Sequence, residues 1–426
     1  MNDLLDPAES GQGVTGIALV AKQPVFDLQG AVWGYELLFR DPSLSPGLGN
    51  KSAQAATSTV MIDGFSLLRP MLRDKQRFLI NFTAEFLEQE LPQVLPPETC
   101  IIEILESVEP TKSVLQGLAS LKQQGYLLAL DDYIGQDSLH PFLSLVDVIK
   151  VDVLELGQNA QIAKIAHNLK AYKAMLLAEK VEDRETASFC RTQGFSLFQG
   201  FFYSKPEVVR GIKLNPSQLT KTRLLALMAD QNANFQQISD ILSTDVVLTY
   251  RLLNYINSVY FGLTVKVQDV GHAAVLLGTQ KLRQWLFVSA LAGLDASPMS
   301  QELVYISAYR AKFLETLAQS VTKNDKGLSA KLFLVGLFSM LESLMRVPAD
   351  EIFAQLSLDP EVQDVLVGGK GPLAPWYGIM VAYEQGLWDE VNVLAKTMNI
   401  SDKQLSEAYI VAGQWAGAAC SPPPSG

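Results

Sequence analysis

Cysteine and histidine are both scarce in this chain. Three cysteines, Cys100, Cys190 and Cys420, form no CxxC pair in 426 residues, and an odd number in a chain of this size argues against a disulfide scaffold and for a reducing compartment. Three histidines, His140, His167 and His272, leave too few imidazoles for a His-rich dimetal centre. Long apolar runs are missing too: the longest, around 286–294 and 332–341, fall well short of the ~20 residues that span a bilayer. MNDLLDPAESGQGVTG lacks a basic stretch followed by an apolar core, so no secretory signal is visible and a cytoplasmic protein without a membrane partner is expected. Nor is there an excess of positive charge. The 34 Lys and Arg against 45 Asp and Glu give a net charge of −11, which disfavours DNA as a partner and leaves room only for a local basic pocket. What is present, 48% hydrophobic and 19% charged residues, is an ordinary globular composition that excludes long disorder. At ~100–200 residues per domain, the length implies two or three domains.

From residue 16 to about 206, short apolar runs alternate with amphipathic stretches. GIALVA, RFLINF, CIIEIL, YLLALDD, VDVIKVD, AMLLAEK and LFQGFF read as strands. Residues 54–71, 111–124, 161–171 and 184–193 carry helical spacing, with Gly125 and Gly194 where C-caps belong. About seven such units suggest a closed parallel barrel. An open Rossmann sheet is the alternative, but no G-x-G-x-x-G follows the first strand. After Lys205 and Pro206 the strand-like runs stop. Asn215 and Pro216 look like an N-cap and first helical residue opening PSQLTKTRLLALMA, and Thr244 and Asp245 cap VVLTYRLLNYI. Helical patterns continue through 281–291, 303–319, 330–345 and 388–398. The expected organisation is α/β plus all-α: frayed residues 1–13, a barrel over 14–206, a helical domain over 207–417 and a tail over 418–426.

Polar residues collect at the C-terminal ends of the predicted strands: Asn81, Glu103 and Glu106, Asp131 and Asp132, Lys150 and Asp152, Glu179 and Glu182, and Gln199, with Glu36 in GYELLFR. In a parallel barrel these ends converge on one rim, where active sites lie. The set is rich in oxygen donors and has no Cys or His, which suits Mg²⁺ or Mn²⁺ rather than zinc. Taken singly, each acid is more often a helix N-cap or a solvated loop residue, and a lone Lys150 reads first as a rim salt bridge with Asp152 or Glu179; it is the joint pattern that points to a site.

GYELLFR, LINF, IIEILE, LDDY, IKVD, AEKVE and FQGFFYSKP, in that order, resemble the signatures of the EAL domain, a modified (β/α)8, TIM-like barrel that hydrolyses cyclic di-GMP. The resemblance covers about residues 14–206. It implies that Glu36, Asn81, Glu103, Asp131, Asp132 and Glu179 are metal ligands, with Glu179 on the second metal. Lys150 matches a lysine that helps activate the attacking water and Gln199 a glutamine near that water. Glu106 matches a glutamate that steadies the loop after the Asp pair, while Gln23 and Arg40 match substrate-contacting positions. Two hard cations bridged by carboxylates would acidify a water and neutralise charge developing on the phosphodiester. Three departures stand out: DYIGQDSL where DFGTGYSSL is usual, Leu37 in place of the alanine of the family's name, and Lys180 in place of the glycine of EGVE. A side chain at 180 would need φ < 0 or would crowd Glu179.

TDVVLTYRLLNYINSVYFG and AAVLLGTQKLRQWL resemble the HDOD domain, so the whole is similar to bacterial EAL–HDOD signal transduction proteins. HDOD domains resemble HD-type metal phosphohydrolases, whose GLLHDIG-like segment supplies adjacent His and Asp ligands. Here the segment is GLFSMLE, so Ser339 and Met340 stand in their place and no catalytic metal is expected beyond residue 207. A metal-free helical domain reads as a regulatory or protein-interaction module, and a homodimer stays open. Two functions remain: a metal-dependent cyclic di-GMP phosphodiesterase, or a non-catalytic cyclic di-GMP receptor or scaffold.

Overall fold

The computed structural model describes residues 19–40, 76–89, 91–200, 246–261, 270–292, 297–322, 325–353 and 358–420, with isolated positions between them. Eight strands close into a barrel in sequence order: β1 (Val20–Asp27), β2 (Val32–Phe39), β3 (Arg77–Phe82), β4 (Cys100–Ile104), β5 (Leu127–Leu130), β6 (Val148–Asp152), β7 (Met175–Glu179) and β8 (Leu197–Phe198). From β2 to β8 every neighbour is parallel, whereas β1 runs antiparallel to both β2 and β8. The first pair is a hairpin, with Val20 opposite Phe39 and Phe26 opposite Val32. Its turn is closed by the Asp27 carboxylate, which accepts from the Gln29 and Ala31 amides at 2.9 Å each.

Two readings of the first strands need correction. GIALVA overlaps β1 only at Val20 and Ala21, and β2 carries the GYELLFR acid on a strand that the seven predicted runs omit. The β1 segment VAKQPVFD mixes Lys, Gln and Pro with its apolar residues because one of its faces meets polar partners. Elsewhere the helices lie where spacing placed them: Lys112–Gln123, capped by Thr111, Asn159–Leu169, and Arg184–Gln193, capped by Asp183 and ended by Gly194 at φ +100. The predicted helices over 54–71 and 216–229, the Asn215 cap of the latter and the 206/207 boundary fall largely or wholly outside the described residues.

Beyond residue 200 the described residues hold helices and no strand. Val270–Ala292 is broken at Gly278 (φ +73), so it is longer than the 281–291 pattern and kinked. The 330–345 pattern divides into Lys326–Phe338 and Leu341–Met345, interrupted at Ser339 and Met340. Lys326–Met345 is long and apolar enough by composition to cross a membrane, yet 67% of it is buried inside the domain, which suits a core element better. Pro298–Val321 packs on Lys326–Phe338 and Asp402–Cys420, and it also touches β2, while Ala374–Glu384 touches β1. One continuous buried cluster runs from Phe78 and Leu118 around the barrel to Phe313 and Tyr383 of the helical half. A second, small cluster plugs the barrel interior: Val25, Leu79, Ile101, Ala129, Val148, Leu177 and Leu197. At roughly 1.5–3 kcal/mol per large buried aliphatic side chain, that plug gives the polar rim above it a rigid floor.

Candidate active site

Side chains on a strand alternate between faces, so the residue two places beyond an inward apolar residue also points inward. Applied to the plug, this rule generates the site. Leu79 leads to Asn81, Ile101 to Glu103, Ala129 to Asp131, Val148 to Lys150, Leu177 to Glu179 and Leu197 to Gln199. On the reversed β1 the direction inverts, and Val25 leads back to Gln23, which pairs in register with Glu36. Glu36, Glu103, Asp131, Lys150, Glu179 and Gln199 are all buried.

Lys150 stands at the centre. Its Nζ lies 2.8 Å from Asp131 Oδ1, 2.8 Å from Glu179 Oε1 and 3.2 Å from Glu36 Oε2, and it also pairs with Glu103. The rim salt bridge is therefore real with Glu179, but it is one of four pairs; Asp152 instead caps the helix Val153–Leu156 by accepting from the Glu155 amide. Burial opposes the ammonium charge, but Asp131, Glu103, Glu179 and Glu36 more than offset it and hold the Lys150 pKa well above the usual lysine value. Burial, reinforced by the other acids, pushes Glu103 and Glu179 upward, and Lys150 counters only part of this. Gln199 donates to Glu36 Oε2 at 2.7 Å and to Gln23 Oε1 at 3.1 Å, and Asn81 donates to Glu36 Oε1 at 3.4 Å.

Asp132 sits beside Asp131 at φ +40, a left-handed conformation that Asp tolerates better than most residues. The shortened loop after it is closed by Gln136, whose Oε1 accepts from the Ile134 amide at 2.8 Å while its Nε2 donates to Asp132 O at 3.1 Å. Glu106 lies exposed beside the pair, with one carboxylate oxygen each from Glu106, Asp131 and Asp132 within 4.8 Å of one another. At Lys180 the structure corrects both expectations. The residue keeps φ +54, and its side chain turns away from Glu179, reaching Asp132 Oδ1 at 3.1 Å and Asp152 Oδ2 at 2.5 Å.

The residues fit a hard divalent cation. Asn81 Oδ1, Glu103 Oε2 and Glu179 Oε2 are buried oxygens with no hydrogen-bond donor, an arrangement that costs stability unless a cation faces them.

The helical half roofs this rim, which the sequence did not signal. Together they enclose a cleft of about 470 Å³ whose walls include Gln23, Glu36 and Asp132 from the barrel and Tyr309, Arg310 and Glu384 from the helices. The Tyr35 hydroxyl is shared with both Glu302 carboxylate oxygens at 3.2 Å, and Lys22 Nζ stands 3.9 Å from the Tyr35 ring centroid and 4.5 Å from that of Tyr305. Gln23 remains at the cleft and reaches Gln385 O at 3.5 Å. Arg40 is not among the residues that line this cleft, and its guanidinium binds Asp402 of the helical half at 2.7 Å. Ser339 and Met340, at the positions of the His–Asp ligands, both accept from Arg310 Nη1, at 3.1 and 3.0 Å, while Glu384 takes the rest of that guanidinium at 2.5–3.0 Å. A charged arginine in the middle of the apolar run LVYISAYRAKFLETL was the available signal for this pair.

Comparison with known proteins agrees with both halves. Residues 54–206 match the EAL domain and residues 216–350 the HDOD domain. The cyclic di-GMP phosphodiesterase CdgJ of Vibrio cholerae serotype O1 is 30% identical over 400 residues, covering 93% of this chain and 92% of that protein. YuxH of Bacillus subtilis (strain 168) is 28% identical over 403 residues, with 93% and 97% covered. Among solved structures, the Klebsiella pneumoniae BlrP1 complex with calcium and cyclic di-GMP is 23% identical, with a TM-score of 0.39 over 46% of this chain and 58% of that one. An EAL domain protein from Listeria monocytogenes is 21% identical, with a TM-score of 0.37 over 45% and 88%. With a barrel half that matches the first domain, a helical half that matches the second, and a relative similar along nearly its whole length, the chain belongs to the family of EAL–HDOD proteins.

Proposed function

We propose that this chain is a divalent-metal-dependent phosphodiesterase that opens cyclic di-GMP to the linear dinucleotide. The observation that carries this reading is the convergence of Glu36, Asn81, Glu103, Asp131 and Glu179 around Lys150 on one barrel rim, with Asp132 at its edge. The similarity to a cyclic di-GMP phosphodiesterase over 93% of this chain supports it. Those six residues would hold Mg²⁺ or Mn²⁺, which when bound supplies Lewis acidity and an acidified water. Lys150 keeps its proton among the four carboxylates and offers positive charge to the phosphodiester oxygens. Gln199 and Asn81 fix the Glu36 carboxylate, and Glu106 lies against the Asp pair. Gln23, at the hairpin edge of the cleft, faces an entering nucleotide. Arg40, paired with Asp402, stands at the domain junction.

The helical half acts as a regulatory cover of the cleft and presents its outer surface to a protein partner or a second copy of the chain, in the cytoplasm. A second reading has its own support: two lysine ammonium groups already lie among the site's carboxylates, as suits a receptor that binds cyclic di-GMP without turnover. Incubating the full chain with cyclic di-GMP and millimolar Mn²⁺ or Mg²⁺, and separating products by chromatography, tests both. Linear dinucleotide from the wild type and none from Glu36→Ala supports the enzyme. Binding without product replaces it with the receptor.

A further inference from the structure

Lys180 occupies a backbone site shaped for glycine. Its φ of +54 is a conformation that penalises any residue with a Cβ. The neighbouring chain does not let it relax: the Val181 amide donates to Gln199 O at 3.1 Å, and Gly200 packs so tightly that a Cβ there would fall 2.3 Å from Val181 N. The strain is therefore imposed by the barrel end, and this chain carries a lysine in spite of it.

The direction of that side chain supplies a reason. Lys180 Nζ lies 3.1 Å from Asp132 Oδ1 and 2.5 Å from Asp152 Oδ2. Asp152 is a firm anchor, because it is buried and its other oxygen accepts the Glu155 amide at 2.8 Å. The ammonium is thus pinned on one side and leans on Asp132 on the other, at the edge where Asp131, Asp132 and Glu106 bring their oxygens together. A Mg²⁺ or Mn²⁺ ion on that Asp132 oxygen would sit at about 2.1 Å from it, so no more than about 5 Å from the ammonium. Like charges this close, on a side chain half shielded from water, disfavour each other strongly. Among the described residues, Glu36 and Glu103 pair with Lys150, whereas the Lys180 ammonium bears on the Asp132 edge.

We propose that Lys180 is a tethered cation that takes the place of one of two divalent ions at the Asp131–Asp132 edge, so that this chain loads a single divalent ion. The inference rests on the metal-site reading given under Proposed function and concerns how many ions that site accepts. An ammonium brings one positive charge instead of two and can hydrogen-bond a phosphodiester oxygen, but it does not acidify a bridging water as a metal does.

The test is a count of ions. Full-length wild type, Lys180→Gly and Lys180→Met are stripped of metal and titrated with Mn²⁺ alone by calorimetry, with electron paramagnetic resonance of the loaded proteins. The expected result is one Mn²⁺ per wild-type chain with an uncoupled spectrum, and two per chain in both variants with the signature of a spin-coupled pair. Lys180→Gly suits the positive φ and Lys180→Met keeps the side-chain bulk, so the comparison does not depend on one substitution folding well. Equal stoichiometry in wild type and variants, whether two, one or none, overturns the proposal. Hydrolysis is scored separately: a site that holds one ion against two in the variants yet never cleaves cyclic di-GMP sinks the phosphodiesterase reading alone.

Discussion

The Tyr35 hydroxyl on β2 meets the Glu302 carboxylate of the helical half at 3.2 Å, and five residues further on, just past the end of that strand, Arg40 meets Asp402 at 2.7 Å. These two polar straps add to the apolar core that joins the roof to the rim. Each is a hydrogen bond or an exposed ion pair contributing on the order of 0.5–1.5 kcal/mol. The double variant Glu302→Gln, Asp402→Ala should therefore open the cleft more often at little cost to the fold. Expected is a 3- to 10-fold rise, roughly, in the association rate of fluorescent cyclic di-GMP, as ~1 kcal/mol of closure is lost. Stopped-flow measurement checks it, and an unchanged rate would show that the roof does not gate entry.

Lys150 pairs with four buried carboxylates. Lys150→Met should destabilise the metal-free protein by about 3–5 kcal/mol, the cost of leaving buried charge unpaired. Added Mn²⁺ should recover much of that loss by mass action on the folded state. Urea unfolding with and without Mn²⁺ reads both. Turnover should fall by roughly 10²-fold or more while nucleotide binding persists, consistent with a group whose charge matters most in the transition state.

Arg310 is held by Glu384, Ser339 and Met340. Removing the guanidinium strands Glu384 at a partly buried position. Arg310→Met should cost about 3 kcal/mol, and pairing it with Glu384→Gln should restore part of the loss. A double-mutant cycle by chemical denaturation gives the coupling; simple additivity would mean that the pair is not what holds this crossing together.

Burial, with Asp183 adding to it, pushes the Cys190 thiol up to about 11. A raised thiol pKa means less thiolate, so at pH 8 only about one Cys190 in a thousand is reactive. Cys100 is pushed higher still by burial. In the native protein a thiol reagent at pH 8 should modify neither, whereas all three cysteines should react in denaturant. Rapid native labelling at Cys190, mapped by mass spectrometry, would contradict the packing of Arg184–Gln193 against the barrel.

Much of the barrel was legible because period-two alternation is a local property: each functional side chain follows an apolar one by two places, and RFLINF or IIEILE shows this in the chain itself. β1 was displaced because the residues that look most strand-like, GIAL, precede it, while its own Lys22, Gln23 and Pro24 face the cleft or the roof. The break at Ser339 and Met340 was hidden inside an apolar helical pattern, and the Arg310 guanidinium that both side chains accept from comes from another helix. Lys180 could be recognised as a replacement, but the sequence does not say where its ammonium goes; that depends on how β6 and β7 are placed side by side. The roof was invisible for the same reason. Arg40 and Asp402 stand 362 residues apart, and no local pattern joins them.

Reversal of β1 settles how the two halves relate. In an all-parallel barrel the first strand begins at the floor and the last ends at the brim, so chain entry and exit lie at opposite poles. Here β1 starts beside Phe39 at the brim, and β8 leads to Gln199 and Gly200 at that same brim. The barrel is a cup with both chain ends at its lip. A domain continuing from Gly200 is delivered to the opening by the covalent path itself, at the high effective concentration that a tether confers. The apolar core shared by the two halves then keeps the helices seated on the lip, and the polar straps at Tyr35 and Arg40 fix their register over the opening.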